Sequence, residues 1–127
     1  MEKVVEIDGR KVGFKATALT LRFYRHFFGR DMISDMVKLR KAYKKAAELP
    51  EDATEEERQD AQLSALDLEI FENAAWIMAW QHDKEAAGTK PEQWLDGFET
   101  FSIYEIFPEI LTLWMLNQET TAIPKKK

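Results

Sequence analysis

The sequence contains no cysteine, only two histidines, five glycines and four prolines in 127 residues. Without cysteine there is no disulfide framework and no thiolate chemistry, a composition that fits a reducing cytoplasm. A metal site needs three or four ligands. No His-x-x-His, Glu-x-x-His or Cys-x-x-Cys spacing is present, and His26 and His82 stand far apart. There is no glycine-rich phosphate loop, since Asp8-Gly9 reads as a turn. Ser34, Ser64 and Ser102 lack the strand–turn–helix setting of a nucleophile elbow. No apolar run approaches the roughly 18 residues of a membrane span. Met1-Glu2-Lys3-Val4-Val5-Glu6 has none of the architecture of a signal peptide. We therefore expect no catalytic residue, no cofactor, no metal and no membrane attachment, in a protein that stays in the cell that makes it.

What is present describes an ordinary folded chain. Hydrophobic residues make up 45% and charged residues 32%, which excludes wholesale disorder. The net charge of −5 and pI near 5.1 disfavour general nucleic-acid binding. The length suits one domain with one core. We expect that domain over residues 1–117 and a disordered tail over 118–127, because periodicity ends at Asn117 and the chain finishes in three lysines. The expected fold class is mainly α (α+β): a compact helical domain of about five helices with an N-terminal β-hairpin.

The hairpin follows from local signals. Asp8-Gly9 favours a type I′ turn, which needs positive φ at both central residues. Closing it pairs Ile7 with Arg10, Glu6 with Lys11 and Val5 with Val12. Val5, Ile7, Val12 and Phe14 then share one face. A lone hairpin is marginal in water, so that face must lie on helices. Thr17 or Thr20 can cap a short helix through Leu21, Tyr24 and Phe28, ended by Gly29. Asp31 can cap a second helix, with Met32, Met36, Leu39 and Tyr43 on one stripe. Leu49 to Ala53 reads as a connector. Thr54-Glu55-Glu56-Glu57 is a capping box that predicts one long helix to about His82, apolar on nearly every side from Leu68 to Trp80. Gly88 and Pro91 mark a stop and a restart before a short helix carrying Trp94, Leu95 and Phe98. Ser102-Ile103-Tyr104-Glu105 is a second capping box, and Pro108 should kink or restart the last helix.

Two charge blocks invite functional readings. The carboxylates from Glu48 to Asp60 fit a solvated connector and helix start, where negative charge suits the dipole. The basic block Lys38, Arg40, Lys41, Lys44 and Lys45 could contact nucleic acid, yet Tyr43 is its only interleaved aromatic. Charge pairing within the chain or between subunits is the better reading of that block.

All four tryptophans, Trp76, Trp80, Trp94 and Trp114, fall in the C-terminal half with Phe71, Phe98, Phe101 and Phe107. Core packing accounts for most of them. The last segment is apolar around its whole circumference, through Ile103, Ile106, Phe107, Ile110, Leu111, Leu113, Trp114, Met115 and Leu116. A terminal helix rarely buries every face, so part of this surface should meet another subunit or a helical client.

Several stretches match a known family in order and spacing. Thr20-Leu21-Arg22-Phe23-Tyr24-Arg25 with Phe28-Gly29-Arg30-Asp31 resembles the N-terminal helices of tail assembly chaperones from siphophages and prophages of Gram-positive bacteria. Phe71-Glu72-Asn73-Ala74-Ala75-Trp76-Ile77-Met78-Ala79, Trp94-Leu95-Asp96-Gly97-Phe98-Glu99 and Phe101 to Ile110 through Leu113-Trp114 are similar to that family too. So is the ending from Asn117 to the lysines. The resemblance covers nearly the whole chain except Lys41 to Asp60. It implies a protein that binds the tape measure protein and keeps it soluble until tail tube subunits replace it. It also implies residence in the host cytoplasm, absence from the mature virion, and a longer product made by a programmed frameshift, whose extra domain recruits the tail tube protein. Consecutive lysine codons can form a slippery heptamer, so the lysine end is a place to look for that frameshift in the gene.

The resulting expectation is a non-enzymatic phage tail assembly chaperone that self-associates through helical surfaces. Trp94, Phe98, Tyr104, Phe107 and Trp114 are its candidate client-binding residues. The alternative is a small prophage regulatory protein that binds nucleic acid through Lys38 to Lys45.

Overall fold

The computed structural model describes residues 1–121, with side chains described as far as Gln118. It opens with an antiparallel hairpin, β1 (Glu2–Ile7) and β2 (Arg10–Lys15). Asp8 and Gly9 have φ of 55° and 77°, the pair of positive values that a type I′ turn requires. The register sets Ile7 against Arg10, Glu6 against Lys11 and Val5 against Val12, as the sequence predicts. Ile7 and Phe14 are buried and Val5 and Val12 pack partly against the same core, while Val4 on the opposite face is exposed. The turn also docks: Asp8 Oδ2 accepts from Glu99 N at 3.1 Å, and Arg10 Nη2 donates to Gly97 O at 2.7 Å.

Seven helices follow among the described residues: α1 (Thr20–Phe28), α2 (Met32–Ala47), α3 (Glu55–Asp60), α4 (Ala65–His82), α5 (Lys84–Ala87), α6 (Pro91–Leu95) and α7 (Ile103–Thr121). The expected single helix from Thr54 to His82 is two helices. Thr54 and Glu57 do form the predicted capping box, but Ser64 and Asp67 form a second one, with both reciprocal bonds at 3.0 Å. A cap satisfies backbone donors that a continuous helix would already use, so the second box restarts the chain. α5 is a further single turn, capped by Asp83. These two additions raise the helix count above the expected five.

α1 ends as expected at Gly29, which has φ 66°. Its start differs from expectation: Leu19 occupies the N-cap with no side-chain bond, and Thr17 instead closes a local turn by accepting from Leu19 N. Asp31 caps α2 through Ile33 N. Met32, Met36 and Leu39 are buried and Tyr43 is half-buried, the predicted stripe.

Asp35, buried in α2, fastens α1 to α2. It accepts from Tyr24 Oη at 2.8 Å and from Arg30 Nε and Nη2 at 2.7 and 2.8 Å. Burial alone would push its carboxyl up; the bonds from Arg30 and Tyr24 outweigh burial and hold it below the usual carboxylate range.

α4 is the central element. It packs on β2, α1, α2, α5, α6 and α7, and Ile70, Phe71 and Ala74 through Ala79 are buried. Trp76 is fully enclosed and its Nε1 donates to Ala87 O at 3.0 Å. α7 does not restart at Pro108; the helix runs through it. Proline at this position forfeits a bond to the Tyr104 carbonyl, and Tyr104 is exposed, so water can replace that bond.

The expected boundary after Asn117 also shifts. α7 continues to Thr121, and Asn117 and Gln118 are 4% and 7% exposed. Asn117 Nδ2 donates to Thr17 O at 3.1 Å, which ties the end of α7 to the β2–α1 connector. The rest of the expected tail, 122–127, lies outside the described residues.

Candidate functional site

The five residues proposed from sequence as a client surface do not form one. Phe107 is fully buried between Tyr43 and Phe71, with ring centroids at 5.0 and 6.0 Å. Trp114 is 6% and Trp94 9% exposed. Trp94 packs edge-on against Phe14 of the hairpin and against Phe101. Phe98 is half-buried beneath the Arg10 guanidinium, 4.3 Å from its centroid. Only Tyr104 stands open, at 53%. Trp94, Phe107 and Trp114 are core residues, because α7 packs on β1 and α4, and α6 on α4 and α5, rather than standing at an edge.

α7 still keeps an outward apolar stripe, made of other residues. Tyr104, Pro108, Leu111 and Met115 recur at intervals of four, three and four, which places them on one face. Tyr104 and Met115 are exposed, Pro108 is exposed and Leu111 is half-buried.

The more developed surface lies on the other side of the sequence, where α1 meets α4. Leu19, Phe23 and Phe27 are spaced by four residues and fall within roughly 80° of one another around the helix. Leu19 is 51% and Phe27 40% exposed, and Phe23 is half-buried. α1 thus has two apolar faces. Thr20 and Tyr24 are buried, with Leu21 and Phe28 packed partly against the core; Leu19, Phe23 and Phe27 are left partly open. Trp80 of α4 completes the surface. Its ring lies 5.1 Å from both Phe23 and Phe27 at steep angles, and Phe27 also meets Trp76 at 5.2 Å. Edge-to-face contacts of this kind hold aromatic rings in place without hiding them.

Leu19, Phe23 and Trp80 line a shallow groove of about 450 Å³, together with Lys15 and Lys84. The Lys84 ammonium sits 4.8 Å above the Trp80 ring. Thr20 and Gln81 brace the groove from below: Thr20 Oγ1 donates to Gln81 Oε1, and Gln81 Nε2 donates to Thr17 Oγ1 at 3.0 Å. The sequence carries a signal for this surface in the spacing of Leu19, Phe23 and Phe27. It is masked by the parallel stripe of Leu21, Tyr24 and Phe28.

Neither histidine belongs to a cluster of ligands. His26 is exposed, edge-on to Phe27, and His82 is exposed with its ring over Gly13. Among the described residues no group of three or more His, Cys, Asp or Glu side chains is placed to hold a metal ion, and no helix is long and apolar enough to cross a membrane. Lys38, Arg40, Lys41, Lys44 and Lys45 are all exposed. The ion pairs among the described residues are Lys3–Glu109 and Arg30–Asp35, so the expected pairing of the basic block with the acidic segment after it is not made within the chain.

Glu72 is the one described carboxylate pushed above its usual range, by burial first and by the neighbouring Glu69 second. A carboxyl raised in the folded state opposes folding above its folded pKa, and the penalty disappears as pH falls below the unfolded value. Glu72→Gln should therefore raise the melting temperature at pH 7 and leave it nearly unchanged near pH 3. Thermal melts of both proteins at the two pH values check this.

Comparison with protein-family models, with curated proteins and with solved structures finds no match to this chain.

Proposed function

We propose that the protein is a non-enzymatic tail assembly chaperone of a siphophage or prophage. It binds the tape measure protein and keeps it soluble until the tail tube polymerises around it. The observation that carries this reading is the aromatic stripe of Leu19, Phe23, Phe27 and Trp80, left partly open on two braced helices. Such a surface can bury the apolar stripe of an amphipathic client helix. The likeness of its sequence to that family supports the same role; of this stripe, Phe23 lies within the matching stretches. The outward stripe of α7 is a second apolar surface, suited to contact between copies along a long client. In this reading the chaperone works in the host cytoplasm, is absent from the mature virion, and has a longer frameshifted form that recruits the tail tube protein.

The test is co-expression with a siphophage tape measure protein. Leu19→Ser with Phe27→Ser removes the two most exposed apolar groups of the stripe, and serine suits the N-cap position that Leu19 occupies. The soluble fraction of the client should fall at least ten-fold. Undiminished solubility, with native-like circular dichroism of the variant, would refute the assignment.

A second reading has one observation in its favour: the five exposed cations of α2 have no ion-pair partner among the described residues. They could bind nucleic acid in a regulatory protein. A mobility shift on duplex DNA that weakens steeply with salt would favour it.

A further inference from the structure

The protein is acidic, but its charge is unevenly distributed. From Thr20 to Ala47 there are eight lysines and arginines and two aspartates, in a chain with 18 basic and 23 acidic residues. Both aspartates are engaged: Asp31 caps α2 and Asp35 is bonded to Arg30 and Tyr24. α1 itself carries Arg22, Arg25 and His26 and no acidic residue. Arg22 and His26 lie on the strip of helix surface next to Leu19 and Phe23, and both are exposed. The groove beside that strip is lined by Lys15 and Lys84 and by no carboxylate. This partly open aromatic surface is thus bordered by cations in a protein of opposite net charge.

We infer that this groove takes an amphipathic helix whose apolar stripe is flanked by carboxylates, supplied by the client. The inference deepens the chaperone reading and rests on it, and charge complementarity is its basis. Aromatic rings would receive the apolar anchors, and Lys15, Arg22 and Lys84 would pair with acids one strip away. The apolar contact supplies the affinity, and the exposed cations supply selectivity and a faster encounter.

A second copy of the chain fits the groove less well. Leu66 and Leu68, exposed beside Asp67 and Glu69, are two residues apart, so they point to opposite sides of α4 and cannot enter one groove. Ile33 and Val37 of α2 share a face but border Arg40 and Lys41, which the groove would repel. The outward stripe of α7 is accompanied by Glu105 and Glu109, and Glu109 is already paired with Lys3. Among the residues whose side chains are described, that leaves Glu105 to face several cations.

Two synthetic helical peptides test this. Both carry leucines at i, i+3, i+7 and i+10; one bears glutamates beside that stripe and the other lysines. The full chain should bind the glutamate peptide at least ten-fold more tightly at low salt, with the ratio shrinking in 0.5 M salt. Arg22→Glu with Lys84→Glu should reverse the preference, both sites being exposed and the variant's melting curve serving as a control for folding. Equal affinities, a lysine preference in the natural chain, or a preference unaltered in the variant would each overturn the inference. Displacement of the glutamate peptide by duplex DNA would overturn it in favour of a nucleic-acid site. Failure of both peptides to bind, with sedimentation mass of the protein alone reduced by the charge reversal, would overturn it in favour of a second copy. If the peptides fail while client solubility still depends on Leu19 and Phe27, the acidic chemistry falls and the chaperone reading stands. If client solubility ignores Leu19 and Phe27, the chaperone reading of this stripe falls, whatever the peptides do.

Discussion

Replacing Trp76 with alanine should lower the unfolding free energy by about 3–5 kcal/mol, the range for emptying a large aromatic site in a packed core. Trp76 is fully buried in the helix that contacts most other elements. Its loss removes ring contacts to Phe27, Phe28 and Trp80 at 5.2–6.2 Å. It also leaves the buried Ala87 carbonyl without the indole donor. A small domain has only about 5–15 kcal/mol in total, so urea denaturation should show a midpoint shifted by a large fraction of its value. Trp80→Ala, one turn further on and half-buried, should cost clearly less. Equal losses at the two positions would contradict the division between a core tryptophan and a surface one.

Asp35→Ala should be the most destabilising change among the acidic residues, at about 2–4 kcal/mol. Hydrogen bonds to a charged group are worth about 1.5–3 kcal/mol, and stranding a buried donor costs about 1–3 more. The stranded donor is the Tyr24 hydroxyl, since Tyr24 is fully enclosed. Arg30 is 41% exposed along its side chain, so it can rehydrate and contributes less. Tyr24→Phe removes a donor while leaving Arg30 on the carboxylate, and about 1 kcal/mol is expected. The pH dependence carries a definite sign. The Asp35 carboxyl is held below its ordinary range, so its contribution is complete above the unfolded pKa of about 4 and is lost as pH falls through the folded value. The stability gap between the natural chain and Asp35→Asn should therefore be constant from neutrality to about pH 5 and narrow in more acidic solution. A gap that widened on acidification would show that the carboxylate is not the stabilising form.

Local features of the fold are legible in the residues themselves. The hairpin register follows from Asp8-Gly9 and the alternation on either side, since a two-residue turn leaves no freedom to slip. The caps at Asp31 and Thr54 and the stop at Gly29 are legible for the same reason: each concerns bonds within a few residues. The break between α3 and α4 is present in Ser64 and Asp67, but the apolar spacing of Leu63, Leu66 and Ile70 runs across it and reads as one helix. Pro108 shows the opposite case. A helix breaker is tolerated where the forfeited carbonyl can face water, and only the fold reveals which side of α7 does so.

The candidate site is legible in the sequence as a kind of surface but not as a set of residues. An aromatic residue has the same composition whether it fills a core or lines a groove. Phe107 and Trp114 are buried and Phe27 is partly open because of which elements pack beside them, not because of their own character. What the sequence alone determined was the hairpin, the caps at Asp31 and Thr54, the central apolar helix and the excess of cations between Thr20 and Ala47, all properties of neighbouring residues. What only the tertiary structure decided was which aromatic face stayed uncovered. Burial depends on contacts between elements distant in the chain: β1 and α4 close over α7, whereas nothing among the described residues fully covers Leu19, Phe23, Phe27 and Trp80.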